Sequence, residues 1–392
     1  MYYKSCAAKV EGGSAVLGHT AEKIFGIVFY IIIFGCFNVL FYLCSMFNHE
    51  ITSAMKNDFK DTARIKQALY FEKKYKIKEF ATVVRKFKRE AEAKEILVKA
   101  LLKREDAKDG KIFYEGYRKQ IMNEIFRLRN AGMYKPSGMM MRHTLRSEHI
   151  PWNIFFPMSL SDDNMNHAKD IFNTIIGKVS PGLPIIKEIK AIRIEYAPKD
   201  EHATEEPFTK CYLNDRTSFD TYIEYISEDE KKGGMGIEVK YTEEGYRPGE
   251  KEEKAAITYY KEHRYFEVMK ESGYYILDAF MPNEKHPNLW SPLVCNELRQ
   301  IWRNHLLGAS MVQHGDISHF LSLHLYPQGN IHFHGDDTHV GAVKNYKYWL
   351  APEGEKTWTA ITFEELFQIM QENYTDKKNR DWIEYLKERY LF

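Results

Sequence analysis

Residues 216–243 read RTSFDTYIEYISEDEKKGGMGIEVKYTE, and the placement of this stretch decides the fold. Two runs within it alternate apolar and polar residues with a period of two, the pattern of a half-buried strand. In SFDTYIEYIS, Asp220, Tyr222 and Glu224 fall on one face, and Phe219, Thr221, Ile223 and Tyr225 on the other. In MGIEVKYTE, Glu238 and Lys240 share a face, while Ile237, Val239 and Tyr241 share the opposite, buried one. The charged turn between the runs ends in Gly233-Gly234, and a glycine-containing turn of this length favours an antiparallel hairpin. Such pairing sets Asp220 beside Glu238 and Lys240 at one end of the hairpin.

Two carboxylates and a lysine at one spot have a chemical use. Carboxylate oxygens suit Mg²⁺, which keeps several waters and bridges to phosphate. The ion would stabilise charge on phosphorus and lower the pKa of an attacking water. A lysine there orients or deprotonates that water, or neutralises the phosphate. An exposed sheet face with weak surface ion pairs has the same residues, and an acid-x-Lys triplet alone does not decide between the two.

Outward from the hairpin, IKEIKAIRIEYAP is an alternating strand closed by Pro198, set off by Pro181 and Pro184 from a helix spanning Asp162 to about Ile176. Ser161 or Asp162 caps that helix. Downstream, NELRQIWRNHLLGASMV (residues 296–312) reads as helix, HFLSLHLYP from His319 as strand, and Thr362 to Leu391 as one or two helices. Helix, three strands, helix, strand is a compact mixed α/β arrangement.

The two runs RTSFDTYIEY and GIEVKYTE together resemble the catalytic segment of the PD-(D/E)XK nuclease superfamily, in particular a bacterial group of predicted restriction endonucleases. The resemblance extends over residues 135–392, with LRSEHIPWNIFFPM before the core and QIWRNHLLGASM after it. It implies a restriction-endonuclease-like α/β (mixed α+β) core, a mixed central sheet flanked by helices. It implies Asp220 as the motif's aspartate, Glu238 as its second acid and Lys240 as its lysine, with Asp220 and Glu238 holding Mg²⁺ (or Mn²⁺). The proline that precedes the aspartate in the family is Phe219 here, so one marker is missing. The superfamily often adds an acid from a preceding helix, for which Glu148 is the candidate; a solvated acid near a helix end is the alternative. Gln300 and Arg303, three apart on one helical face, are candidates to reach the scissile phosphate, with Arg303 and Lys240 contacting DNA. Trp302 reads as core, Glu195 as an edge or surface charge, and Glu243 as a solvated strand end. The implied activity is hydrolysis of double-stranded DNA by a restriction or defence nuclease, with a homodimer if both strands are cut. The alternative is a catalytically inactive, membrane-anchored nucleic-acid-binding or interaction protein.

Hydrophobic content of 44% supplies a packed core over most of the 392 residues, and the net charge of +1 conceals a local excess. Residues 54–104 hold 16 Lys and Arg against 7 Asp and Glu. Residues 50–130 carry apolar positions at helical spacing, so this basic region reads as amphipathic helices. Its charge either contacts phosphates or keeps the helices solvated. From Ile24 to Asn48 there is no charged residue, a run long enough for a membrane helix. The expected organisation is therefore a tail (1–23), a transmembrane helix (24–48), a basic helical region (49–134) and a nuclease-like domain (135–392). Lys and Arg are denser after the span than before it, which places the C-terminal part on the cytoplasmic face of the plasma membrane. A C-terminal reporter found outside the cytoplasm would overturn that placement, and a start at Met46 or Met55 would remove the span. Five cysteines without paired spacing argue against a disulfide framework or a Cys-x-x-Cys zinc site. His332, His334 and His339 in NIHFHGDDTH invite a zinc reading, but no fourth ligand with known spacing accompanies them. No Walker-type loop or GxSxG elbow is present.

Overall fold

The computed structural model describes residues 59–86, 93–97, 100–179, 182–199, 211–215, 217–245, 261 and 263–392. Its longer helices are α1 (Phe59–Tyr75), α2 (Arg118–Asn130), α3 (Asp162–Val179), α4 (Arg264–Ser272), α5 (Arg299–His314), α6 (Phe363–Asn373) and α7 (Lys377–Tyr390). The strands are β1 (Thr82–Lys86), β2 (Ala93–Leu97), β3 (Ile186–Tyr196), β4 (Phe219–Ser227), β5 (Lys232–Val239), β6 (His319–Tyr326) and β7 (Trp358–Thr362).

Five of these strands form one sheet in the order β3-β4-β5-β6-β7. β3, β4 and β5 run antiparallel as a meander, and β6 and β7 continue the sheet in parallel with β5. The step from β5 to β6 carries α5, as a parallel connection requires a crossover. β5 and β6 are buried along nearly their whole length, as central strands covered on both faces must be.

Each face of the sheet has its own core. Ile223, Tyr225, Met235, Ile237, Val239 and Leu323 pack with α3, α6 and α7, and α1 and α2 join them through Phe71, Ile121 and Ile125. Tyr222 and Phe320 pack on the other face with α4 and α5, through Tyr265, Val268, Trp302 and Leu306. The alternation read from MGIEVKYTE therefore holds for Ile237, Val239 and Tyr241.

Three details differ from the expected pattern. β1 and β2 form an antiparallel pair inside the stretch expected to be helical; the consecutive β-branched residues Thr82, Val83 and Val84 are stiff at χ1 and favour strand. The turn of the 216–243 stretch contains no glycine. It closes where the Ser227 N–H donates to the Lys231 carbonyl at 3.0 Å, and Glu230 takes the left-handed φ of 61°. Gly233 and Gly234 lie within β5 instead. Finally, Phe219 packs with Tyr222 rather than on the opposite face. Gly236 explains this, because a Cβ there would occupy the place of the Phe219 ring, and one at Gly234 would meet the Tyr222 hydroxyl. The apolar run at 24–48 lies outside the described residues, among which no helix is long and apolar enough to cross a membrane.

Candidate active site

Asp220 lies second on β4, one step beyond the Thr221–Ile237 pair of the β4–β5 ladder, and so faces Glu238 at the end of β5. The Val239 backbone N–H donates to Asp220 Oδ2 at 2.7 Å. Glu238 and Lys240 project from the same side of β5, and both are about 5% exposed. Lys240 Nζ donates to Glu238 Oε1. The Asn304 amide, from α5, donates to Glu238 Oε2. Thus both oxygens of Glu238 are held, and one of Asp220's.

Glu195 completes this group from β3. Ile194 pairs with Thr221 and Tyr196 with Phe219, which sets Glu195 across from Asp220. Its φ of 54° is left-handed, a conformation that costs a non-glycine residue on the order of 1–3 kcal/mol and gathers at functional sites. The sequence placed Glu195 as an edge or surface charge, and β3 is indeed the edge strand of the sheet, but the side chain is not an ordinary surface acid. Instead burial, then the charges of Asp220, Glu148 and Glu238, push its carboxyl well above the usual range, with Lys240 opposing.

The electrostatics describe a crowd of acids short of positive charge. Burial and the Glu238 charge push Asp220 up to about 8, against the opposing effects of Lys240 and the Val239 amide. Burial pulls Lys240 down, but Glu238, Asp220 and Glu243 outweigh it and hold the ammonium above its ordinary value. Lys240 therefore stays protonated at neutral pH, which suits a charge stabiliser and not a general base. A divalent cation among Asp220, Glu238 and Glu195 would relieve the repulsion, and the hard oxygen donors match that class of ion.

The other candidates fall at varying distance from this centre. Glu148 sits in the single turn Ser147–His149 and accepts from the Ser137 N–H at 2.7 Å and from the Ser137 and Tyr134 hydroxyls. It acts on the group through Glu195. Glu243 is no solvated strand end: it accepts from Ser147 N–H and hydroxyl at 2.9 Å each and from Tyr241 N–H at 2.8 Å. Arg303 is committed elsewhere, donating to Asp215 at 2.9 Å and to the Thr217 hydroxyl at 2.9 and 3.1 Å. Among the described residues no hydrogen bond joins Gln300 to Asp220, Glu238 or Lys240. The helical residue that does reach the site is Asn304, one turn beyond Gln300. Trp302 is core, as read.

Two further residues escaped the sequence reading. Asn304 was hidden because an amide on a mostly buried helix has no distinctive neighbours. His324 is paired with Glu238 across the β5–β6 ladder, and both its ring nitrogens are buried without a hydrogen-bond partner among the described residues. Burial, with Lys240 and His332 nearby, holds its imidazole well below its usual pKa and therefore neutral. His324 shares its strand face with Phe320, Ser322 and Tyr326, so it reads as one more polar interruption of a buried strand.

A model of the PD-(D/E)XK nuclease superfamily matches residues 54–392. The chain belongs to that superfamily. The five-stranded mixed sheet flanked by helices fits a restriction-endonuclease-like core, and membership supports a nuclease-type hydrolase acting on nucleic acid. PD-(D/E)XK nucleases typically use divalent metals, in keeping with the acid cluster. The match begins at residue 54, so it takes in most of the basic region 49–134, whose helices α1 and α2 share the core of the PD-(D/E)XK sheet. No curated protein and no solved structure matches the chain. For Asn304 the expectation within this nuclease is specific. Asn304→Ala is expected to free one oxygen of Glu238 and, if Glu238 holds a metal, to lower kcat by roughly 10–100-fold, the usual effect of losing a partner that orients a metal ligand. A steady-state cleavage assay measures it, and an unchanged kcat would remove Asn304 from the site.

Proposed function

We propose that the chain is a Mg²⁺-dependent endonuclease that hydrolyses double-stranded DNA, and that its biological setting is restriction or a related defence. The observation that carries this reading is the convergence of Asp220, Glu238 and Lys240, with Glu195 added from β3, at one end of the sheet. A bound Mg²⁺ (or Mn²⁺) supplies Lewis-acid stabilisation and an acidified water.

The chain's own groups do the rest. The Val239 amide fixes one oxygen of Asp220 and leaves the other to a ligand. Lys240 and Asn304 fix Glu238 in one rotamer, so its oxygens need no reorganisation when substrate arrives. Lys240 keeps its proton and places positive charge beside the phosphate oxygens. Glu195 would help hold the cation once deprotonated, and Glu148 acts on it from the 147–149 turn. Double-strand cleavage by one such site calls for two copies, hence a homodimer on DNA. The run at 24–48 would tether the nuclease to the inner face of the membrane, where it meets incoming DNA.

The test is plasmid cleavage by the purified full chain with Mg²⁺. Lys240→Met is expected to slow cleavage by about 10²–10³-fold, the range seen when one transition-state donor is removed. Cleavage that survives this change would remove Lys240 from the mechanism. Binding of DNA without cleavage by the unaltered chain would instead support the non-catalytic alternative.

A further inference from the structure

A second group of metal-binding side chains lies outside the acid cluster. His286 from a turn, the buried Cys295 thiol and Glu297 just before α5 bring one ligand atom each to within 4.8 Å of one another. Around a tetrahedral Zn²⁺ with bonds of about 2.0–2.3 Å, donors stand roughly 3.5 Å apart. Closing the observed group to that size takes about 1 Å of side-chain movement, within reach of rotamer adjustment.

His332 is the candidate for a fourth donor, although its ring nitrogens lie outside the group of three that stand within 4.8 Å of one another. It sits in the helical turn Ile331–His334 that follows β6, and its Nε2 is buried with no hydrogen-bond partner among the described residues. Its imidazole and the Glu297 carboxylate lie close enough to act on each other electrostatically. Burial opposes ionisation of Glu297, but its own backbone amide, the Cys295 thiol, His286 and His332 outweigh it. The segment around His332 offers no ligand spacing of its own. His286, Cys295 and Glu297 come from 35–46 residues upstream, and only the folded chain brings Glu297 within electrostatic reach of His332.

We propose that His286, Cys295, Glu297 and His332 form a closed structural site for a borderline-soft divalent ion of the Zn²⁺ class. One thiolate, two imidazoles and one carboxylate is a donor set that favours Zn²⁺ over Mg²⁺. The site ties three separate segments: the 286 turn, the lead into α5 and the turn after β6. α5 carries Asn304 and β6 carries His324, so the ion would set the position of two groups beside Glu238 without touching substrate.

Cobalt reports on this directly, because a thiolate ligand gives Co²⁺ a near-ultraviolet charge-transfer band that oxygen donors cannot give. The full chain is titrated with Co²⁺ in excess Mg²⁺, which keeps the acid cluster occupied by a hard ion. A band saturating at one Co²⁺ per chain and displaced by Zn²⁺ is expected. It is lost in Cys295→Ser and retained in Cys211→Ser and Asp220→Asn. His286→Ala, at a half-exposed turn position that tolerates truncation, and His332→Ala are each expected to weaken Co²⁺ binding by at least about tenfold. Absence of the band in the unaltered chain overturns the site. So does a band that survives Cys295→Ser, or affinity unchanged in either histidine variant.

Discussion

Asp220→Asn is expected to abolish DNA cleavage, by about 10³-fold or more, and at the same time to raise the melting temperature of the metal-free protein. The two effects have one cause. Asp220 offers a cation the oxygen left over by the Val239 amide, and losing a Lewis-acid ligand forfeits several kcal/mol of transition-state stabilisation. Without a cation, however, the same carboxylate is pressed between Glu238 and Glu195. Its folded pKa of about 8 exceeds the ordinary 3.8. Between those values the unfolded chain binds fewer protons at this position than the folded one, so stability falls as pH rises through the window. Thermal melts in a chelator should accordingly decline from pH 5 to pH 8.5, and decline less steeply in Asp220→Asn. Adding Mg²⁺ should stabilise the unaltered protein more than the variant. A variant that cleaves DNA, or that is less stable than its parent at pH 8 in chelator, would contradict this account of the site.

The largest effect on stability is expected at Arg389→Ala in α7. Arg389 is 1% exposed, and among the described residues no carboxylate pairs with it. Its guanidinium donates instead to the Ile112 carbonyl, to the Tyr385 hydroxyl, to His149 at 3.1 Å and to Gln67 at 3.3 Å. The rings of Tyr70, Phe71, Tyr385 and Tyr390 surround it with centroids 5.0–5.9 Å away. Truncation leaves a cavity, removes those cation–π contacts and strands the buried His149 Nε2, while the Ile112 carbonyl keeps the Asn153 amide at 3.1 Å. Cavity and unsatisfied-acceptor costs together come to roughly 4 kcal/mol or more. Urea denaturation measures the loss; a change below about 1 kcal/mol would show that the neighbours close over the gap. Arg389→Lys should recover little, because a single ammonium cannot serve four directions at once.

Much of the site was legible because strand alternation is a strong local signal. Glu238 and Lys240 share a face of β5 as the period of two requires, and Asp220 joins them through antiparallel pairing. β3, β4 and β6 were legible for the same reason, and the 162–179 helix by its cap and the prolines that follow it. What escaped depended on contacts distant in sequence. Gly233 and Gly234 look like a turn in isolation, yet they serve the rings of Tyr225 and Tyr222 on the neighbouring strand. Glu195 breaks its strand's alternation through a positive φ that no residue pattern announces. β7 is five residues with little periodicity, and only its parallel pairing with β6 defines it. Asn304 follows Gln300 by one helical turn, and only the crossing of α5 over the sheet decides which of the two meets Glu238.

The hydrogen bond from Val239 to Asp220 has a use outside chemistry. It connects a backbone amide, observable by nuclear magnetic resonance, to the carboxylate whose charge a cation bound at the proposed site would control. The Val239 resonance should move with pH in the metal-free chain and stop moving once the cation is bound. One isotope-labelled valine thus becomes a spectroscopic gauge of site occupancy, readable in solution without any nucleic acid present.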